Sequence, residues 1–511
     1  MNMKYINRVG LSAIILCSLI FIVAQPQIAY AQNSPPAVFY NIKQYGAIGD
    51  GKHVDSKAIN KAIDAAADKG GGTVFIPAGN YLSGSIRLKS NVSLYLDQGA
   101  TIIAAEVSAE NGYDEEETTV NTTYQDSGHS HFHNSLIWGE NVHDVSILGQ
   151  GTIWGKGLYH DYVKSKQSAN KAIALYRCRN VNIGDISILH GGWFGILATG
   201  VENLTINNVK EDTNRDGMDI DCCRNVHLSN CSVNSPNDDG ICLKSTFALG
   251  FARATENVTI TNCGVSGYNE GSFLDGTYKR SDDPNHSPTG RIKLGTESNG
   301  GFKNITINNC TFNYCRGLAL ETVDGGLLED VTINNITMRD IGNTPLFLRL
   351  GARMRGPADA SVGELRRVII SNIVAYNVHD AILISGIKGH DISDIELKNI
   401  KLYFKGNGTT EQAKREVPEL EKGYPEPDSF GVLPASGIFA RHATSLTLDN
   451  IDLNFINEDQ RPAIIFDNIT GADLRFVKAE AAKDTPTIMQ KSSTGINLFQ
   501  SLNLPDGDLK P

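Results

Sequence analysis

Asn203-Leu204-Thr205-Ile206-Asn207-Asn208, Asn225-Val226-His227-Leu228-Ser229-Asn230-Cys231, Asn257-Val258-Thr259-Ile260-Thr261-Asn262-Cys263 and Asn304-Ile305-Thr306-Ile307-Asn308-Asn309-Cys310 are variants of one phrase. Each is a short, β-branched run of alternating polarity closed by Asn. Earlier copies open at Asn141 and Asn180, another at Asp330, and echoes follow at Val368, Ile392 and Leu446, at spacings mostly in the low to middle twenties. A strand this short cannot bury its apolar face alone. Coils stacked in parallel bury one continuous core, align the Asn residues as ladders and leave the connections free to carry function. A sandwich or barrel would place turn signals every ~8–12 residues, and a βαβ fold would need helices between the strands. The expected fold is therefore all-β, a right-handed, single-stranded parallel β-helix.

Outside the repeats, Lys4 and Arg8, the apolar run 11–23 and Ala29-Tyr30-Ala31 read as a signal peptide cleaved after Ala31. Cys17 follows the bulky Leu16, which favours soluble export over a lipid anchor, and no later run approaches the ~20 apolar residues of a membrane span. The expected product is a secreted or periplasmic chain, 32–511, folded as one domain and monomeric. One helix is expected, over 55–69, with Ala58, Ile59, Ala62, Ile63, Ala66 and Ala67 at helical spacing and Gly70-Gly71-Gly72 ending it. It reads as a cap over the first coil. The polar stretch 405–434, with Pro418, Pro425, Pro427 and Pro434, reads as a long inserted loop.

Of nine cysteines, Cys17 leaves with the signal, and Cys231, Cys263 and Cys310 recur at one place in successive repeats. Stacked, buried free thiols are expected there, and no spacing suggests zinc. The net charge of −11 argues against nucleic acid as a partner. It leaves an acidic glycan open, provided the site itself is locally basic.

Chemistry concentrates in Asn214-Arg215-Asp216-Gly217-Met218-Asp219 and, one coil on, Asn237-Asp238-Asp239-Gly240. Asp216 and Asp238 are 22 residues apart, and coils rise by ~4.8 Å, so these carboxylates should converge. Crowded carboxylates repel one another, which raises at least one pKa and sets a neutral acid beside ionised bases. Glycoside hydrolysis needs that pairing. An Asp/Asn ladder or a calcium site is the structural alternative.

In these residues the chain resembles glycoside hydrolase family 28, the polygalacturonases and rhamnogalacturonan hydrolases, on a pectin-lyase-like solenoid. The resemblance spans nearly the whole exported chain, from Tyr45-Gly46-Ala47-Ile48-Gly49-Asp50-Gly51 and Gly71-Gly72-Thr73-Val74-Phe75-Ile76-Pro77-Ala78-Gly79 through Gly149-Gln150-Gly151-Thr152-Ile153-Trp154-Gly155 to the two Asp motifs. It implies an inverting hydrolase of an acidic pectic polysaccharide, with Asp238 as acid and Asp216 and Asp239 holding the attacking water. It implies no cofactor and no metal. Inversion predicts an acid–base separation of ~6.5–9.5 Å. Asp219 is expected to be structural.

The pattern also breaks. Members of that family carry a Gly-His-Gly in the coil after the Asp pair and an Arg-Ile-Lys in the coil after that. Here Arg291-Ile292-Lys293 occupies the histidine's coil, and Leu318-Ala319-Leu320-Glu321 stands where Arg-Ile-Lys belongs. A substrate other than plain polygalacturonate is expected. Arg291, Lys293, Lys244, Glu321 and Arg353 are candidate substrate contacts, and Trp193 is a candidate stacking platform. Arg215, Arg349, Arg353 and Arg355 would offer guanidinium groups to an anionic chain, and Asp275 is a further hydrogen-bonding candidate. His129, His131 and His133 alternate as on one strand face but lack a fourth ligand, so they read as surface or turn residues. A polysaccharide lyase and a non-catalytic glycan-binding β-helix are the competing readings.

Overall fold

The computed structural model describes residues 39–107, 112–117, 123–159, 170–283 and 286–509. The expected signal peptide and its cleavage site lie outside them. Among the described residues, 37 strands join one hydrogen-bonded sheet. Its ladders are parallel except the last, where Asn497 pairs with Asp508. This is the expected parallel β-helix.

The register follows the repeated phrase. Val145, Val181, Leu204, Val226, Val258, Ile305, Val331 and Val368 pair rung by rung into one interior column. Beside it Asn180, Asn203, Asn225, Asn257 and Asn304 take φ between 53° and 57°. Each of the last four donates its amide to the Asn below, at 2.8–3.1 Å. Asn suits the bend because its short polar side chain tolerates the left-handed region that other L-residues avoid. Asn257→Ala should therefore cost about 1–2 kcal/mol in urea denaturation, chiefly from backbone strain. Asn257→Gly, which relieves that strain, should cost less.

The expected helix spans Ser56–Asp68, with Asp55 and Lys69 as its caps. Ala58, Ile59, Ala62, Ile63 and Ala66 face the first coils and join the main core, so the helix hides the otherwise open apolar end. All eight described cysteines are buried free thiols. Among the described residues no helix is long and apolar enough to cross a membrane.

One face departs from the alternating pattern. Strands Lys171–Tyr176, Phe194–Thr199, Asp216–Asp221, Ile241–Ser245, Ile292–Ser298, Leu318–Thr322 and Leu346–Leu350 are buried at every position. Its outward column reads Ala174, Leu197, Asp219, Cys242, Lys293, Ala319, Phe347, Leu383, Phe439. Apolar residues fill both ends and join two satellite clusters. One gathers Phe132, Trp193, Phe194 and Leu249; the other gathers Phe347, Leu383, Phe430 and Phe439. Charge interrupts the column only between them, at Asp219 and Lys293. The candidate site lies at that interruption.

Candidate active site

Asp216 opens strand Asp216–Asp221, while Asp238 and Asp239 end the turn before strand Ile241–Ser245. The two coils are sewn together there: Gly217 N–H donates to the Asp239 carbonyl at 3.0 Å and Met218 N–H to that of Gly240 at 2.9 Å. Glycine is required at 217, because a Cβ would fall 2.4 Å from the Gly240 carbonyl oxygen. One carboxylate oxygen from each of Asp216, Asp238 and Asp239 lies within 4.8 Å of the others. The convergence expected from the one-coil spacing is present.

The three environments differ. Asp216 and Asp239 are buried, whereas the Asp238 side chain keeps 25% of its exposure. Burial pushes Asp216 well above the usual carboxylate range, and the neighbouring Asp238 and Asp219 add to the shift. Its Oδ1 is buried without a hydrogen-bond partner among the described residues. Burial also acts on Asp239, but Lys293, Arg291 and Lys244 outweigh it and hold that carboxylate ionised, well below the usual range. Arg291 Nε donates to Asp239 at 2.8 Å and Lys293 Nζ lies 3.3 Å away. Arg215 donates to Asp238 Oδ2 at 2.6 Å. The two carboxyls are thus pushed in opposite directions, Asp216 chiefly by burial with crowding adding to it, and Asp239 by its cations. The surroundings push Asp216 toward its protonated form, whereas the resemblance gives the acid's role to Asp238.

The nearest oxygens are also closer than the ~6.5–9.5 Å expected for an acid–base pair. Two hydrogen bonds of ~2.75 Å at a near-tetrahedral oxygen span about 4.5 Å. The upper bound of 4.8 Å on these separations is close to that span.

Most expected substrate contacts are instead buried ion pairs. Arg291 and Lys293 are each 2% exposed. Besides Asp239, Arg291 donates to both oxygens of Glu426, at 3.0 and 3.3 Å, and Lys293 lies 3.6 Å from Glu321. Lys244 lies 3.7 Å from Asp219 and 3.4 Å from Glu297. Arg353 makes two bonds to Asp324. Arg349 is no rim: it is buried and donates to Ser385 and to the Glu419 and Leu420 carbonyls. Arg355, partly exposed, bonds Asp126.

Trp193 is 4% exposed and Arg215 lies over its ring at 4.5 Å, so it is not an open platform. Asp275 is exposed and only closes its own turn onto Thr277. His133 and His131 pair with Glu140 and Glu116. His129 is buried, not a surface residue, with Nε2 at 2.9 Å from Asp219. Asp219 is accordingly an anchor, bridging His129 and Lys244.

Tyr424, Glu426, Glu297 and Arg316 were not singled out from sequence. The 405–434 segment is a loop, as expected, but it returns over the site. Glu426 bonds Arg316 at 2.7 Å as well as Arg291. Tyr424 bonds Thr296 through its hydroxyl at 3.1 Å, lies over Lys293, and keeps 54% exposure.

Glu321 offers a pH test. Burial pushes it up to about 7, against the opposing pull of Lys293 and Arg291. A carboxyl raised in this way stabilises the fold while protonated; that contribution is complete below about 4.5 and lost as pH rises through about 7. On this group's account stability should fall by about 3 kcal/mol between these values. Urea midpoints of Glu321→Gln should decline less steeply with pH than those of the parent.

A family model described as rhamnogalacturonase A/epimerase, pectate lyase-like, matches residues 39–277. A hyperthermoactive exopolygalacturonase from Thermotoga maritima superposes with a TM-score of 0.62 at 19% identity, covering 82% of this chain and 92% of that one. The chain is a pectin-lyase-like parallel β-helix. At low identity it is also similar to polygalacturonases. A probable polygalacturonase from Vitis vinifera is 23% identical over 399 residues, 71% of this β-helix and 74% of the relative. A mannuronan C5-epimerase from Azotobacter vinelandii is 28% identical over 209 residues, 35% of this β-helix and 20% of that protein.

Proposed function

We propose that the protein is a glycoside hydrolase of an acidic pectic polysaccharide, exported by its N-terminal signal and acting outside the cytoplasm. The observation that carries this reading is the convergence of three carboxylates from neighbouring coils in unlike surroundings: Asp216 buried and pushed toward its protonated form, Asp239 paired with Arg291 and Lys293, and Asp238 partly exposed. Asp238 meets the glycosidic oxygen and delivers the proton that the triad holds on Asp216 at rest. Asp239, kept ionised by Arg291 and Lys293, orients water for attack on the anomeric carbon from the opposite face. Attack by water predicts inversion.

A lyase or epimerase reading is motivated by the relatives in that class and by three carboxylates close enough to ligate a hard cation such as calcium. It is the weaker reading, because Arg215, Arg291 and Lys293 already neutralise two of the three carboxylates. Removing the C5 proton requires a free base, and the lysines at the site are buried in ion pairs.

The test is to incubate the protein with galacturonan and with a branched rhamnogalacturonan and to follow the products by mass and by proton NMR. Saturated ends, each gaining one water, with the inverted anomer first and no loss of rate in chelator, are expected. Products that are exclusively 4,5-unsaturated contradict the hydrolase reading.

A further inference from the structure

We infer that the sugar whose anomeric carbon is attacked at this site is uncharged, so that the enzyme cuts an acidic pectic chain at a neutral residue. This rests on the hydrolase reading and narrows it.

Recognition of a uronate at the scissile position needs a cation with an unused hydrogen-bonding face. Around the triad the protein's own carboxylates take up the cations, Asp238 holding even the partly exposed Arg215. Arg291 uses Nε for Asp239 and both terminal nitrogens for Glu426. Lys293 lies between Asp239 and Glu321, and Lys244 between Asp219 and Glu297. With Lys293 and Arg291 at 2% exposure, their nitrogens do not face a groove. A substrate carboxylate entering beside Asp239 would find Lys293 and Arg291 already held by Glu321 and Glu426.

Glu426 is the decisive residue. It comes from the long loop, and its two oxygens bond the Arg291 guanidinium as an incoming uronate would. Arg316 holds it in place at 2.7 Å. Beside it stands Tyr424, a half-exposed aromatic residue of the kind on which the apolar side of a neutral sugar ring rests.

The experiment digests two polymers, one alternating neutral sugar with uronic acid and one of galacturonic acid alone. The new reducing ends, or any released monosaccharide, are reduced with borohydride and identified by mass spectrometry. A neutral sugar at every new reducing end, with galacturonan cut at least 100-fold more slowly, is expected. Uronic acid at the new reducing ends overturns this inference and leaves the hydrolase reading standing. Unsaturated ends, or no cleavage of either polymer, overturn both. In Glu426→Ala, where Arg291 loses both its internal carboxylate and the side chain that covers it, cleavage at uronic acid should rise at least tenfold relative to the parent. An unchanged ratio of the two cleavages contradicts the role given to Glu426.

Discussion

Asp238→Asn should lower kcat by about 10³–10⁴-fold on any substrate the protein cleaves, with little change in stability. The amide preserves the shape of the side chain but cannot deliver a proton, and general acid catalysis contributes on the order of 10²–10⁴-fold. Folding should tolerate the change. The Arg215 pair lies at a partly exposed site, both side chains keeping about a quarter of their exposure, and such pairs contribute about 0–1 kcal/mol. Initial rates together with thermal melts check both halves. Activity within tenfold of the parent would remove Asp238 from the chemistry, and a non-catalytic glycan binder would keep its affinity in this variant.

Arg291→Ala should have the largest effect on stability. Its guanidinium lies between the carboxylates of Asp239 and Glu426 at 2.8–3.3 Å and is itself almost wholly buried. Removing one member of a buried ion pair strands the charge of the others, at a cost of about 3–5 kcal/mol. Lys293 still faces Asp239 and Arg316 still faces Glu426, which favours the lower end of that range. Urea denaturation measures the loss. Arg291→Ala combined with Glu426→Gln should recover part of it, because one stranded charge is gone. If Arg291→Ala unfolds at the parental midpoint, this residue is not the structural partner of Asp239.

The parts of this molecule that repeat were legible in the sequence. A phrase such as Asn225-Val226-His227-Leu228 fixes strand, inward face and bend together, and stacking copies it from rung to rung. The convergence of Asp216 with Asp238 and Asp239 follows from the same counting, as does the placing of Arg291 and Lys293 one coil beyond the Asp pair; Cys242 does pair with Lys293 in the sheet. What lies over the stack was not legible. Glu426 bonds Arg291 across 135 residues of sequence, and no period announces that contact. Arg349 and Arg353 read as a cationic rim because arginine is usually exposed, yet both are buried beneath loop carbonyls or against Asp324. His129 was unreadable for the same reason, since it reaches Asp219 from a segment outside the repeats. The uninterrupted burial of strands such as Lys171–Tyr176 and Ile292–Ser298 is the physical trace of this roof. In the sequence its one trace was apolar residues at positions where a solvated β-helix face would be polar.

Difference infrared spectroscopy of the parent against Asp216→Asn at neutral pH reads the proton at the centre of this account. The parent should carry a protonated-carboxyl C=O band that the variant lacks, while carboxylate bands remain unchanged. Loss of a carboxylate band instead, with no protonated band missing, would mean that Asp216 is ionised at rest and that neighbouring coils do not store a proton for bond cleavage.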